Sequence, residues 1–189
     1  MAFDEATAIL AGDALLTFAF ESLSAIETHP DPFIRSELVL TLAKAAGARG
    51  LVGGQMIGME AKTPLEMGAF MRLQRLKVGA LFAFCCEAGA ILARAPSTQR
   101  MALHAFAHDL GVAFQMADEM LGSTTTPRVT RAEADQREGR TTFLGLLGED
   151  RARGQARLLA DQAIRHLDNF DTRADPLRAA AHYAVERKV

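Results

Sequence analysis

The stretch FQMADEMLG, residues 114–122, places one amide and two adjacent acids near the end of a long segment whose apolar residues recur at the helical period. Acids are rarely buried without a partner. Two neighbouring acids at a helix end therefore indicate either a solvated surface or a cation site. Since no strand pattern occurs anywhere in the sequence, helices of this kind predict an all-α protein.

The helix that carries this stretch is predicted to run from Ser97 to about Leu121 and to have two faces. The apolar face consists of Leu103, Phe106, Leu110, Phe114, Ala117 and Leu121. The second face consists of His104, His108, Gly111, Gln115, Asp118 and Glu119. Its amide and two acids offer oxygen ligands of the kind that Mg²⁺ prefers. The two histidines have metal-ligand spacing, but no third ligand accompanies them, so surface histidines are the favoured interpretation.

The composition is that of one globular domain over residues 1–189, with 49% hydrophobic and 23% charged residues. A net charge of -2 gives no electrostatic argument for nucleic acid. The adjacent Cys85 and Cys86 are poor disulfide partners, which predicts buried thiols and a reducing, cytoplasmic location. The acidic N-terminus differs from a signal peptide, and no apolar run approaches the ~18 residues of a membrane span.

The remaining chain is predicted to form further helices, separated by prolines, glycines and one long polar loop at residues 122–139. A helix beginning at the Thr63-Pro64-Leu65-Glu66 capping box and ending before Pro96 has the clearest start signal. The other predicted helices span residues 3–26, 33–59, 141–147, 149–169 and 174–187. The first of these is apolar on most sides, which predicts packing partners all around it.

Two features have both a structural and a functional interpretation. Four glycines, at positions 47, 50, 53 and 54, each cost a helix about 1 kcal/mol relative to alanine. Close helix packing or a ligand against the backbone could offset that cost, and packing is the favoured interpretation. Lys77 lies where a polar segment becomes apolar, so it either extends to solvent or binds a phosphate.

Several blocks together resemble one family, the trans-isoprenyl diphosphate synthases, and most closely the bacterial farnesyl and geranylgeranyl diphosphate synthases. The blocks occur in the family's order, at close to its spacing, over nearly the whole chain. They are AILAGDALL at residues 8–16, GLVGGQM at 50–56, LKVGAL at 76–81, FQMADEML at 114–121 and RTTFLGLLG at 140–148. The fourth resembles the family's second aspartate-rich motif.

This resemblance implies an isoprenoid-synthase-type helical bundle, usually a homodimer, that joins an allylic diphosphate to isopentenyl diphosphate with the help of Mg²⁺. Lys77, Gln115 and Arg140 match diphosphate-binding positions. Asp118 and Glu119 match metal-binding acids. Two further motif positions are Asp13 and Gln55.

The departures from the family pattern predict a motif-degenerate chain that lacks the family's N-terminal helices. The GGKR-type block, the DDxxD motif and the RRGxPTxH block are absent from the sequence. Within the remaining blocks, the family pattern is changed at Gly58, Gln74, Val78, Glu119 and Gly122. The resemblance therefore implies weak Mg²⁺ binding and no confident catalytic residue.

Three functions remain open on the sequence. The chain is a prenyl synthase homologue that is impaired or inactive in isolation, or a catalytically silent partner that dimerises with and modulates an active synthase. An unrelated helical bundle is the third possibility. The changed motif positions favour a catalytically silent homologue over the C-terminal portion of a prenyltransferase whose full-length form is active.

Overall fold

A computed structural model describes residues 3–124 and 141–187. Helices joined by short connections make up this part of the chain, and it contains no strand. The predicted all-α class is therefore confirmed. The α-helices are α1 (Glu5–Ser24), α2 (Pro32–Ala46), α3 (Leu51–Glu60), α4 (Met67–Gln74), α5 (Ala80–Leu92), α6 (Ser97–Thr124), α7 (Phe143–Leu147), α8 (Glu149–Arg165) and α9 (Asp175–Glu186). A π-helical segment, Arg75–Gly79, joins α4 to α5, and a 3₁₀ turn, Thr172–Ala174, precedes α9.

The core lies around α6, because α5, α8 and α9 all pack against it. Large side chains of α6, among them Phe106 and Met116, are buried there. Each such side chain stabilises the fold by about 1.5–3 kcal/mol when it is fully buried. The facing side of α8 is built from small residues, which lets the two helices approach closely. They are Ala152, Ala156, Ala160 and Ala163.

The predicted helix start at Thr63 is wrong. The helix α4 begins at Met67 with an extended Glu66 as its N-cap residue, and the Thr63–Glu66 stretch is not helical. The backbone N–H of Leu65 donates to the hydroxyl of Thr141 at 2.7 Å, a partner 76 residues away. The Leu65 side chain also packs against the core. These tertiary contacts override a capping signal that is worth only about 1 kcal/mol.

Close packing explains Gly54, one of two buried glycines among the four. A Cβ atom added at Gly54 would lie 2.5 Å from the backbone nitrogen of Lys77. The helix α3 therefore rests directly on the backbone of the π segment. The packing interpretation is confirmed at this position, and the contact brings Gln55, the next residue, beside Lys77. The glycines at positions 47 and 50 lie where the predicted 33–59 helix is divided into α2 and α3.

The helix α1 lies on the outside and contacts only its neighbour α2 appreciably. Its apolar side chains are exposed, for example Leu10 at 66% and Phe18 at 61%. By length and hydropathy α1 could span a membrane, with a mean hydropathy of 1.4 over 18 residues. This segment was not anticipated from the sequence, because its apolar residues outweigh the acids Asp13 and Glu21 in the mean. A core helix of a soluble protein passes the same test, so α1 does not by itself identify a membrane protein.

The two cysteines differ, although both were predicted to be buried. Cys85 is exposed, and Cys86 is half-buried on the next face of α5. Burial, with a smaller contribution from the neighbouring Cys85, raises the pKa of the Cys86 thiol to about 11. Because the thiolate is the nucleophile, only about one Cys86 in a thousand is reactive at pH 8.

Alkylation should therefore distinguish the two thiols. Iodoacetamide at pH 8 is expected to modify Cys85 in the native protein and to leave most Cys86 unmodified, as peptide mass spectrometry would measure. In denaturant both should react at similar rates. Equal modification of the two residues in the native protein would contradict the described burial.

Candidate functional site

A groove between α3, the π segment and α6 gathers polar side chains from distant parts of the sequence. Gln55 comes from α3 and Lys77 from the π segment, while Gln115 and Glu119 lie one turn apart on α6. Thr63, Leu65 and Thr141 also line the groove, and the Leu65 N–H donates to the Thr141 hydroxyl as described above. Four positions that match family motifs thus lie around one groove. A short helical irregularity such as the π segment is often found at functional sites.

The carboxylate of Glu119 is used structurally. Its side chain is only 6% exposed, and Oε2 accepts hydrogen bonds from the backbone N–H groups of Phe143 at 2.8 Å and Leu144 at 3.3 Å. Those N–H groups belong to the first turn of α7, where an intrahelical acceptor does not exist. The other oxygen, Oε1, lies 3.5 Å from Nε2 of Gln115. Glu119 therefore fastens α7 to α6 at the edge of the groove.

Asp118 points elsewhere, although it is the adjacent residue. Its exposed carboxylate pairs with Nη2 of Arg187 at 3.1 Å, and the Arg187 guanidinium lies 4.2 Å from the centre of the Phe114 ring. Neighbours on a helix project about 100° apart. The two acids of the quoted stretch thus lie on different sides of α6 and do not meet.

Two other predicted positions lie away from the groove or cannot be placed. Asp13 is on the exposed helix α1, which does not line the groove. Arg140 and most of the predicted loop at residues 122–139 lie outside the described residues.

The sequence did not single out Gln74 as a site residue, although it lines the groove. It is 4% exposed, and its buried Oε1 has no hydrogen-bond partner among residues 3–124 and 141–187. Gln74 precedes Lys77 by three residues and therefore shares its side of the helix. Its position three residues before Lys77 was the sequence signal that could have identified Gln74.

The described residues do not fit the predicted magnesium site. Within residues 3–124 and 141–187, no three His, Cys, Asp or Glu side chains cluster at metal-binding distances. His104 and His108 pack edge to face with ring centres 4.5 Å apart, and burial and the nearby His104 and Arg75 lower the pKa of His108. Among the described acids, Glu119 alone lines the groove.

Nearly the whole chain is similar to one known protein family. The polyprenyl synthetase family model matches residues 1–179. The chain belongs to the polyprenyl synthetase family. Its curated relatives include the farnesyl diphosphate synthase of Escherichia coli, 38% identical over 98% of this chain and 64% of the relative, and that of Geobacillus stearothermophilus, 35% identical over 89% and 58%.

Solved structures of prenyl synthases share the fold of this chain. The FPP/GFPP synthase of Zymomonas mobilis superposes with a TM-score of 0.81 at 45% identity, covering 97% of this chain and 62% of that one. A Helicobacter pylori geranyltransferase, complexed with magnesium and isoprenyl diphosphate, has a TM-score of 0.79 at 27% identity, covering 97% and 60%. The chain therefore spans about three fifths of the length of these proteins. The family resemblance is confirmed, and an unrelated helical bundle is excluded.

Proposed function

We propose that the groove binds an allylic diphosphate, with Lys77 and Gln115 contacting the diphosphate. The observation that supports this most is the convergence of Gln55, Lys77 and Gln115 from three separate family motifs. Enzymes of this family act on an allylic diphosphate and isopentenyl diphosphate. An ammonium group and amide N–H groups are suitable donors for phosphate oxygens. Arg140 is a further proposed diphosphate contact.

We also propose that this chain, in isolation, transfers prenyl groups poorly or not at all. Among the described acids, Glu119 alone lines the groove, and it is already bonded to the backbone of α7. Val78 replaces a threonine that, in the family, follows the lysine, so one hydroxyl donor to phosphate is missing. Electrostatic stabilisation of a leaving diphosphate is therefore weaker than the family's pattern provides.

A turnover assay tests this part of the proposal. The purified chain, Mg²⁺, an allylic diphosphate and labelled isopentenyl diphosphate are incubated beside the Escherichia coli farnesyl diphosphate synthase. We expect elongation to be slower by at least about 100-fold, the effect of losing one strong electrostatic contact to the transition state. Comparable rates for the two proteins would show that the chain is a working enzyme.

The second candidate function is a silent subunit that dimerises with an active prenyl synthase and modulates it. The exposed apolar side chains of α1 favour it, because a continuous apolar patch of this kind marks a contact surface. Self-association as a homodimer would use the same surface. A single-domain organisation and a cytoplasmic location remain predictions.

Light scattering after size-exclusion chromatography would test the role of α1. The substitution Leu15→Glu on α1 is expected to prevent homodimers, or heterodimers with a full-length relative. Leu158→Glu, at an equally exposed leucine on α8, should have no effect. A wild-type chain that is monomeric alone and in the mixture would exclude both assemblies.

A further inference from the structure

We infer that the groove binds its diphosphate ligand without magnesium, through one ammonium group and neutral amides, and that Gln74 is one of the contacts. This inference rests on the proposed function, since it specifies how the same groove holds its ligand. It starts from the side chains that line the groove. Among the described residues, the long polar side chains there are Glu119, one lysine, Lys77, and three glutamines, Gln55, Gln74 and Gln115.

The two acids of the family motif are each committed to another contact. Mg²⁺ favours carboxylate oxygens in near-ideal octahedral geometry. If Glu119 turned towards a metal, it would leave the backbone N–H groups of Phe143 and Leu144 without their acceptor, in a buried position. Asp118 lies on another side of α6, paired with Arg187. No described pair of carboxylates can therefore hold one ion in the groove.

The amides can perform the function that a metal usually performs for a diphosphate. At neutral pH the oxygens of a diphosphate mainly accept hydrogen bonds. The protein must therefore surround them with N–H or O–H donors. Each glutamine supplies two N–H donors, and Lys77 supplies three together with a positive charge. The chain thus offers a neutralising charge and a set of donors in one groove.

Gln74 provides the most specific observation. Buried polar side-chain atoms almost always have a hydrogen-bond partner, yet Oε1 of Gln74 has none in the described structure. That oxygen is shielded from solvent, so a ligand does not reach it in this side-chain orientation. Gln74 also lines the groove, and rotation about its side-chain bonds would move the amide N–H donors towards a phosphate oxygen there. Gln74 and Lys77 lie three residues apart in the lining of the same groove, so both can contact one diphosphate.

Titration calorimetry tests the inference in two solutions. Farnesyl diphosphate and inorganic diphosphate are each titrated into the purified chain, first with EDTA and then with excess Mg²⁺. We expect the affinity in Mg²⁺ to be no higher than the affinity in EDTA, because Mg²⁺ also coordinates the diphosphate in solution and competes with the groove for it. An affinity at least about tenfold higher in Mg²⁺ would overturn the inference. Tighter binding of farnesyl diphosphate than of inorganic diphosphate would show that the farnesyl group of the ligand also contributes to the affinity.

The possible outcomes separate the inference from the proposed function. Binding that occurs only with Mg²⁺ would overturn the inference and leave the proposed function intact. Absence of binding in both solutions would refute the proposed function, and the inference with it. A titration of Mg²⁺ alone into the protein is a second test of the inference. We expect no saturable heat from it, because the groove does not hold the ion.

The contact from Gln74 is tested by Gln74→Leu and Gln74→Met, which keep the side-chain size. Each should weaken diphosphate binding by about tenfold, the cost of one hydrogen bond to a charged group. Neither should lower the melting temperature, because a buried amide oxygen without a partner among the described residues costs stability rather than adding it. The matched control is Gln162→Leu, at an exposed position on α8. Wild-type affinity in both Gln74 variants would exclude the contact.

Discussion

Replacing Glu119 by alanine is expected to lower the free energy of unfolding by about 2–4 kcal/mol, because two backbone N–H groups at the start of α7 lose a charged acceptor. For a chain of this size the melting temperature should fall by about 4–16 °C. Thermal unfolding in EDTA measures the effect. EDTA is used because replacing a residue that acts only as a metal ligand would not change the stability of the metal-free protein.

The neighbouring acid is the matched control. Asp118→Ala removes an exposed ion pair with Arg187, and such pairs contribute at most about 1 kcal/mol. The two adjacent substitutions should therefore differ severalfold in their effect on stability. Equal effects, or a loss at Glu119 that appears only when Mg²⁺ is present, would contradict the structural role given to Glu119.

Gly54→Ala is expected to destabilise the protein by about 3 kcal/mol, near the upper end for an overpacked core. The added Cβ would lie 2.5 Å from a backbone atom of the π segment, which cannot rotate away as a side chain could. The helix α3 must then move as a whole. Denaturant unfolding measures the loss, and the same movement should weaken ligand binding because it separates Gln55 from Lys77.

Gly89→Ala is the control for this prediction. Gly89 lies inside α5, and a Cβ added there has no atom within 4 Å. Alanine should therefore stabilise the helix by about 0.5–1 kcal/mol, through its better helix propensity. If both substitutions stabilise the protein, the contact between α3 and the π segment is not as close as described.

Local sequence patterns predicted the helices of this fold well, because most helices here follow apolar periodicity. The segment that became α6 is the clearest case. The prediction failed where a distant residue decides local structure. Thr63–Glu66 has a good capping pattern, but the hydroxyl of Thr141 takes the Leu65 N–H and the helix begins later. No pattern within a short window contains that information.

The candidate site was predicted in part, and the two adjacent acids explain why. The motif led to Asp118 and Glu119 as a pair, yet a helix separates adjacent residues by about 100°. Which of the two faces the groove depends on how α6 is rotated by its packing. The structure also shows what Glu119 bonds to, a short helix that follows residues 125–140 in the chain. Gln74 was named only as a changed family position, because its burial and the unpartnered oxygen that mark it as a site candidate are visible only in the structure.

The measurement that tests the central claim most directly is calorimetric binding of farnesyl diphosphate to the wild-type chain and to two lysine variants. Lys77→Gln removes the ammonium group from the groove. Lys44→Gln removes an exposed ammonium group near the end of α2. We predict saturable binding to the wild type, affinity lower by about 10–100-fold in Lys77→Gln, and no change in Lys44→Gln. Absence of binding to the wild type, or equal affinity in the two variants, would contradict a diphosphate site in this groove.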